Sequence, residues 1–215
     1  MVMDKVKVAI LGATGIVGQR FIELLSKHEW FTIEYLGASQ EKVGCRFWKV
    51  VDWVLEEEPP DHIKDMVLGS VKADSIPKNV EVVFSALPST IAKDVEVGLA
   101  RRGFMVFSNA SPMRMEDDIP LINPEVNYDH LKLIRVQRER RSWNGFIVKD
   151  PNCSTAILTL SLAPLMRYGV EEVIVTTMQA VSGAGLRGVP SYMIIDNIIP
   201  LSLIHISEPT RPLYI

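Results

Sequence analysis

The sequence predicts an α/β protein built on a doubly wound parallel sheet, and three observations carry that prediction. Short apolar runs recur at Val6–Leu11, Phe31–Leu36, Val80–Ser85 and Phe104–Ser108, the pattern of strands buried on both faces. Segments of helical periodicity, such as Val17–His28 and Ile91–Arg102, stand between them. A glycine-rich turn, Gly12-Ala13-Thr14-Gly15-Ile16-Val17-Gly18, joins the first run to the first helix. Strand, glycine turn, helix and strand in about thirty residues make a βαβ unit. Alternation of this kind places ligands at the carboxyl ends of the strands.

Each element follows from its local pattern. Lys7 alone interrupts the first run, and Gly12 stops it. Val17, Phe21, Ile22, Leu24 and Leu25 keep helical spacing, and Phe31–Leu36 returns as a strand. A polar, tryptophan-containing stretch from Gln40 to Asp65 precedes Val80–Ser85, which ends at Ser85-Ala86-Leu87-Pro88-Ser89. The next run ends at Ser108-Asn109-Ala110, and a proline-punctuated stretch continues to Asn127. The charged segment 129–143 holds four arginines, at 135, 138, 140 and 141, read as a solvated face. Phe146–Val148 leads to Pro151-Asn152-Cys153-Ser154-Thr155 and an apolar helix over Ala156–Met166, which Pro164 should bend or end. The β-rich run Val173–Met178 is predicted to be a strand opening a second domain, with Ser182-Gly183-Ala184-Gly185 as a flexible loop after it.

Composition bounds the function. With 47% hydrophobic and 23% charged residues among 215, the chain can bury a core, which excludes disorder, collagen and coiled coil as overall classes. Lys and Arg number 23 against 26 Asp and Glu, so no basic excess points to nucleic acid or an anionic membrane. No run reaches the ~20 apolar residues of a membrane span, and the N-terminal run breaks at glycines where a signal peptide would continue. Cys45 and Cys153 form neither a disulfide framework nor a metal-ligand pair. A small-molecule protein of the reducing cytoplasm, without a metal, is the expectation.

Two features carry chemistry. The glycines of the turn let backbone N–H groups and a helix N-terminus approach a pyrophosphate. At the end of the second strand, Ser39 and Lys42 suit a 2'-phosphate and favour NADP, while Glu34 and Glu41 keep NAD open. Cys153 follows a strand and an asparagine and precedes a helix, a frame in which backbone donors and the helix dipole stabilise a thiolate. Cys45, beside Arg46 and without such a frame, reads as structural.

The last fifteen residues, LSLIHISEPTRPLYI, stand apart. Permitted codons for Leu201–Arg211 spell a sequence that resembles a transposase adapter used in sequencing libraries. The natural sequence is therefore expected to end near Pro200, and His205 is given no catalytic role.

The strings GATGIVGQRF, SALPS, SNASPMRM with PEVN, GFIVKDPNCST and MQAVSGAG, in this order, resemble aspartate-semialdehyde dehydrogenases of the archaeal and fungal type. The resemblance covers residues 5 to 200. It implies that Cys153 forms an acyl thioester, Gln179 orients the substrate, Arg114 handles phosphate and Asn152 lies in the active-site turn. It implies further that Gly12, Thr14, Gly15, Ile16, Val17, Ser39, Ser85, Ala86, Leu87, Ser182 and Gly183 line NADP. The division implied is an NADP domain over residues 1–150, the first part of an α+β catalytic and dimerisation domain over 151–200, and a non-native tail over 201–215. The family's acid–base histidine and carboxylate-gripping arginine would lie past Pro200; His28, His62 and His130 read as solvated. The expectation is thus a homodimeric or homotetrameric enzyme when whole, an inactive chain as given, and apolar surface exposed over Val173–Ile199. Malonyl-CoA reductase and N-acetyl-glutamyl-phosphate reductase are the rival activities, and a noncatalytic NADP-binding module is the rival class.

Overall fold

The computed structural model describes residues 4–186 and 188–198. The element order is β1 (Val6–Leu11), α1 (Ile16–Ser26), β2 (Phe31–Ala38), α2 (Phe47–Val50), α3 (Asp61–Lys64), β3 (Gly69–Ser70), β4 (Val82–Ser85), α4 (Ser89–Arg101), β5 (Met105–Ser108), α5 (Pro124–Asn127), α6 (Leu133–Arg141), β6 (Phe146–Lys149), α7 (Cys153–Leu162) and α8 (Ser191–Ile194). All pairings between these strands are parallel, in the order β3-β2-β1-β4-β5-β6. The predicted α/β sheet is therefore present. Its order reverses between β1 and β4, which opens a crevice at their carboxyl ends.

Alternation along β1 divides the core. Val8 and Ile10 pack with Ile22 and Leu25 of α1, Phe47 of α2 and Ile63 of α3. Ala9 and Leu11 face the other way, with Ala92, Leu99 and Ala100 of α4, Val83, Val106 and Ile147. Successive strand side chains point to opposite faces, so one continuous apolar run serves both layers. The polar stretch 40–65 contributes to this core through Phe47 and Ile63, both buried.

The edge strand β6 is covered rather than left open. The Gln137 amide of α6 accepts from Ile147 N at 2.7 Å and donates to Ile147 O at 2.8 Å, and Lys149 N donates to Pro120 O at 2.9 Å. These contacts satisfy backbone groups that an exposed edge would present to another chain.

Three expectations change. Val173–Met178 is not a strand: among the described residues no β-pairing includes it, and Ile174 and Met178 are almost fully exposed. β-propensity expresses packing against partner strands, and among the described residues none lies beside this run. The arginines of α6 are not one solvated face, because Arg141 forms ion pairs with Glu116 and Asp118 while Arg135 pairs with Glu139 at the surface. The helix after Cys153 begins at Cys153 itself and ends at Leu162, before a 3-10 segment, Ala163–Tyr168, that carries Pro164 in its first turn. Tail residues 201–215, with His205, lie outside the described residues. Among those described, no helix is long and apolar enough to cross a membrane.

Candidate active site

The glycine turn leaves β1 under a hydrogen bond from Gly12 N to Gly37 O at 2.9 Å, and Ala86 N of the next strand's loop donates to Leu11 O at 2.8 Å. Gly12 has φ +79°, and a Cβ there would stand 2.5 Å from Ala86 O. A Cβ on Gly18 would lie 2.2 Å from Gly12 O, so the start of α1 lies tightly on the turn. Gly15 is the N-cap of α1 with no side-chain cap, followed by Ile16 and Val17. The first-turn N–H groups of a helix have no intrahelical partners and attract anions. The local backbone therefore forms a glycine cradle at the switch point, with Ala86 and Leu87 packed against Gly12.

At the end of β2, Lys42 Nζ donates to Thr14 Oγ1 at 3.2 Å, which ties the 39–42 turn to the glycine turn. Ser39 is exposed and donates to Glu41 at 3.1 Å. Glu34 instead faces Lys7 at 3.5 Å and accepts from Asn79. Ser85, expected beside the nucleotide, has a fully buried hydroxyl that donates to Glu96 Oε1 at 2.7 Å. As the last residue of β4 it turns its side chain to Glu96, and its carbonyl accepts from Asn109 N at 3.0 Å.

Cys153 is exposed at the first position of α7. Asn152 is the N-cap, and its side chain accepts from Thr155 N at 2.8 Å, which starts the helix at the cysteine. β6, which precedes this turn, lies three strands from β1, or roughly 14 Å at ordinary strand spacing. Gln179 Nε2 donates to the Ser154 hydroxyl and to Thr177 Oγ1, which brings the amide beside the thiol's neighbour. Ser182 and Gly183 lie in the 3-10 turn Val181–Ala184, and nothing stands within 4 Å of where a Cβ on Gly183 would be.

Arg114 is buried where β5 and β6 end. Its Nη2 donates to Asn109 O at 2.7 Å and lies 3.5 Å from Asp150 Oδ1, while among the described residues its Nε has no hydrogen-bond partner. Asn109 Nδ2 donates to Asp150 Oδ2 at 2.7 Å. Desolvation pushes the Asp150 carboxyl above its ordinary value, and the Arg114 guanidinium opposes it. Asp150 and Asn109 were not singled out from sequence, although both sit inside the motifs around Cys153 and Arg114. Gln19 was missed as well: fully buried, it donates to Asp52 O at 2.8 Å and accepts from Val54 N at 3.0 Å, which ties the segment after α2 to the first helix. A polar residue on the apolar stripe of a helix was the available signal.

His28 accepts from Trp30 N through Nδ1, His62 is exposed in α3, and His130 lies against Asn127 with desolvation lowering its pKa. Among the described residues, no group of three or more His, Cys, Asp or Glu could hold a metal ion.

Comparison with known proteins places this geometry. The family model "Semialdehyde dehydrogenase, NAD binding domain" matches residues 7–134. The aspartate-semialdehyde dehydrogenase of Archaeoglobus fulgidus is 52% identical over 193 residues, covering 90% of this chain and 56% of that protein. The malonyl CoA reductase (NADP) of Metallosphaera sedula is 37% identical, over 91% of this chain and 54% of that protein. The crystal structure of aspartate semialdehyde dehydrogenase with NADP from Candida albicans superposes with a TM-score of 0.71 at 38% identity, over 77% of this chain and 48% of that one. The chain thus spans about half the length of the curated relatives it matches. With an open parallel sheet, a glycine cradle at its switch point and a family match over most of that sheet, the chain belongs to the semialdehyde dehydrogenase family and carries its NAD-binding domain.

Proposed function

We propose that the whole protein is an NADP-dependent aspartate-semialdehyde dehydrogenase that converts 4-aspartyl phosphate to aspartate semialdehyde. It acts in the cytoplasm as a homodimer or homotetramer, in the biosynthesis of amino acids derived from aspartate. The observation that carries the proposal is Cys153, exposed at the first turn of α7 and mounted on the same parallel sheet as the glycine cradle. Residues 1–150 form the nucleotide domain, and 151–200 begin the catalytic and dimerisation domain.

The cradle fits a dinucleotide. Gly12 and Gly18 let the turn close on Ala86 and on the start of α1 without a Cβ in the way, Gly15, Ile16 and Val17 present the helix terminus to a pyrophosphate, and Thr14 joins them. Lys42, held at Thr14, and Ser39 beside it would take a 2'-phosphate, which favours NADP. Ala86 and Leu87 wall the crevice, and Ser182 and Gly183 would contact the nucleotide from the turn Val181–Ala184.

In the biosynthetic direction the Cys153 thiolate attacks the acyl carbon of 4-aspartyl phosphate, forms a C–S bond and expels phosphate. Arg114 receives that phosphate, with Asn109 and Asp150 holding the guanidinium in place. Gln179 and the amides at the start of α7 stabilise the oxyanion, and Asn152 keeps that turn in register. When bound, NADPH supplies hydride for the thioester carbon. Collapse of the reduced alkoxide adduct breaks the C–S bond, releases aspartate semialdehyde and returns the Cys153 thiolate.

The experiment is an absorbance assay on the full-length gene product with aspartate semialdehyde, phosphate and NADP. NADPH formation that requires all three supports the proposal. NADPH-dependent reduction of malonyl-CoA, or oxidation of N-acetyl-glutamate semialdehyde, in its place overturns the substrate assignment; unchanged activity in Cys153→Ser overturns the catalytic role of that thiol, and NADP binding without any turnover favours a nucleotide-binding module. The 215 residues alone are expected to give no turnover.

A further inference from the structure

Ser85, Ser108 and Lys149 are the last residues of β4, β5 and β6, and they stand side by side in register. Each is buried, and all three side chains converge on one carboxylate, Glu96 of α4, itself fully buried. Glu96 Oε1 accepts from Ser85 Oγ at 2.7 Å and from Ser108 Oγ at 2.6 Å, while Oε2 accepts from Lys149 Nζ. Lys149 also donates to Ser108 Oγ at 2.8 Å, and Ala110 N donates to the same hydroxyl at 3.1 Å.

We infer that Glu96 and Lys149 are positioning residues, which lock three strand ends at one height so that the Cys153 turn and the Arg114 anchor keep their mutual placement. The inference rests on Cys153 being the nucleophile of the proposed reaction.

Two physical arguments support it. Burying an ion pair is costly, and well-packed apolar replacements are often as stable or more so, so stability alone does not account for a fully buried Lys–Glu pair. Burial pushes the Lys149 ammonium below its ordinary value, and Glu96 draws it back up. What the network supplies is directional: each hydrogen bond fixes a distance that apolar contact leaves free. The residues immediately after these strand ends are Ala86, Asn109 and Asp150, the last one turn of chain before Asn152 and Cys153. A displacement of the strand ends passes directly to the thiol.

The test uses the full-length gene product as wild type, Cys153→Ser, the double variant Glu96→Leu/Lys149→Met, and Ser108→Ala. The double variant removes both charges together, so no unpaired charge is buried, but it leaves the Ser85 and Ser108 hydroxyls without their acceptor, and its unfolding midpoint is expected about 5–10 °C below wild type. Its kcat is expected to fall ~10- to 100-fold, while the Kd for NADP stays within about threefold, because the glycine cradle belongs to β1 and α1. Alkylation of Cys153 by iodoacetamide in the absence of NADP is expected to change rate in parallel with kcat. A folded double variant with wild-type kcat overturns the inference. Should the double variant fail to fold, Ser108→Ala, which keeps the ion pair but cuts β5 from it, decides: lowered kcat at unchanged NADP affinity supports the inference, and unchanged kcat overturns it. An inactive wild type or an active Cys153→Ser instead defeats the proposed reaction and is read separately.

Discussion

Arg141 of α6 grips Asp118 through two hydrogen bonds, Nη2 to Oδ1 at 2.6 Å and Nε to Oδ2 at 2.5 Å, and its Nη2 also reaches Glu116. Its guanidinium lies over the Trp143 ring, 5.0 Å from the centroid. The pair closes the segment 111–119, which carries Arg114, against the helix that covers β6.

Removing this clasp should loosen Arg114. Asp118 is only 7% exposed at its side chain, so Arg141→Ala leaves a nearly buried carboxylate without its main partner. The expected cost is about 2–4 kcal/mol in urea unfolding, with a raised KM for phosphate in the full-length enzyme. Unchanged stability would show that the clasp is incidental.

The same pair sets an acid limit. The Arg141 hydrogen bond holds Asp118 below its ordinary value of 3.8, despite opposing desolvation. A carboxylate whose folded value is depressed contributes stability that is complete above the ordinary value and lost as pH falls through the lower folded one. Stability is therefore expected to decline below about pH 4, with a shallower decline in Arg141→Ala, measured by urea titrations across pH.

Gly12→Ala should damage both fold and nucleotide binding. The φ of +79° and the 2.5 Å approach to Ala86 O leave no room for a Cβ. We expect about 1–3 kcal/mol of destabilisation and loss of measurable NADP affinity by calorimetry. A variant that binds NADP normally would contradict the cradle.

Lys42→Ala should alter cofactor choice more than turnover. Its ammonium is anchored at Thr14 Oγ1, where a ribose phosphate would face it. The ratio of kcat/KM for NADP over NAD is expected to fall about tenfold, a difference of about 1.4 kcal/mol. An unchanged ratio would assign the preference to Ser39 or to the backbone.

Cys153→Ser should lower turnover by ~1,000-fold or more while NADP binding persists, because a hydroxyl at that position is a far weaker nucleophile than the thiolate. Retained acyl transfer, followed by phosphate release, would remove Cys153 from the mechanism.

The sequence by itself determined the parallel sheet, the glycine turn and the frame of Cys153, because each is written in contiguous residues. Apolar runs the length of a strand, a three-residue glycine spacing and an asparagine before a helix act through the local backbone. The tertiary structure alone decided who partners whom. Glu96 and Lys149 lie 53 positions apart, and Arg114 meets Asp150 across 36, so no local pattern announces either pair. It also decided against a strand at Val173–Met178, where propensity was high but, among the described residues, no neighbouring strand lies alongside. Backbone conformation within a turn is a local matter, whereas hydrogen bonds and ion pairs need a second group that folding alone brings near.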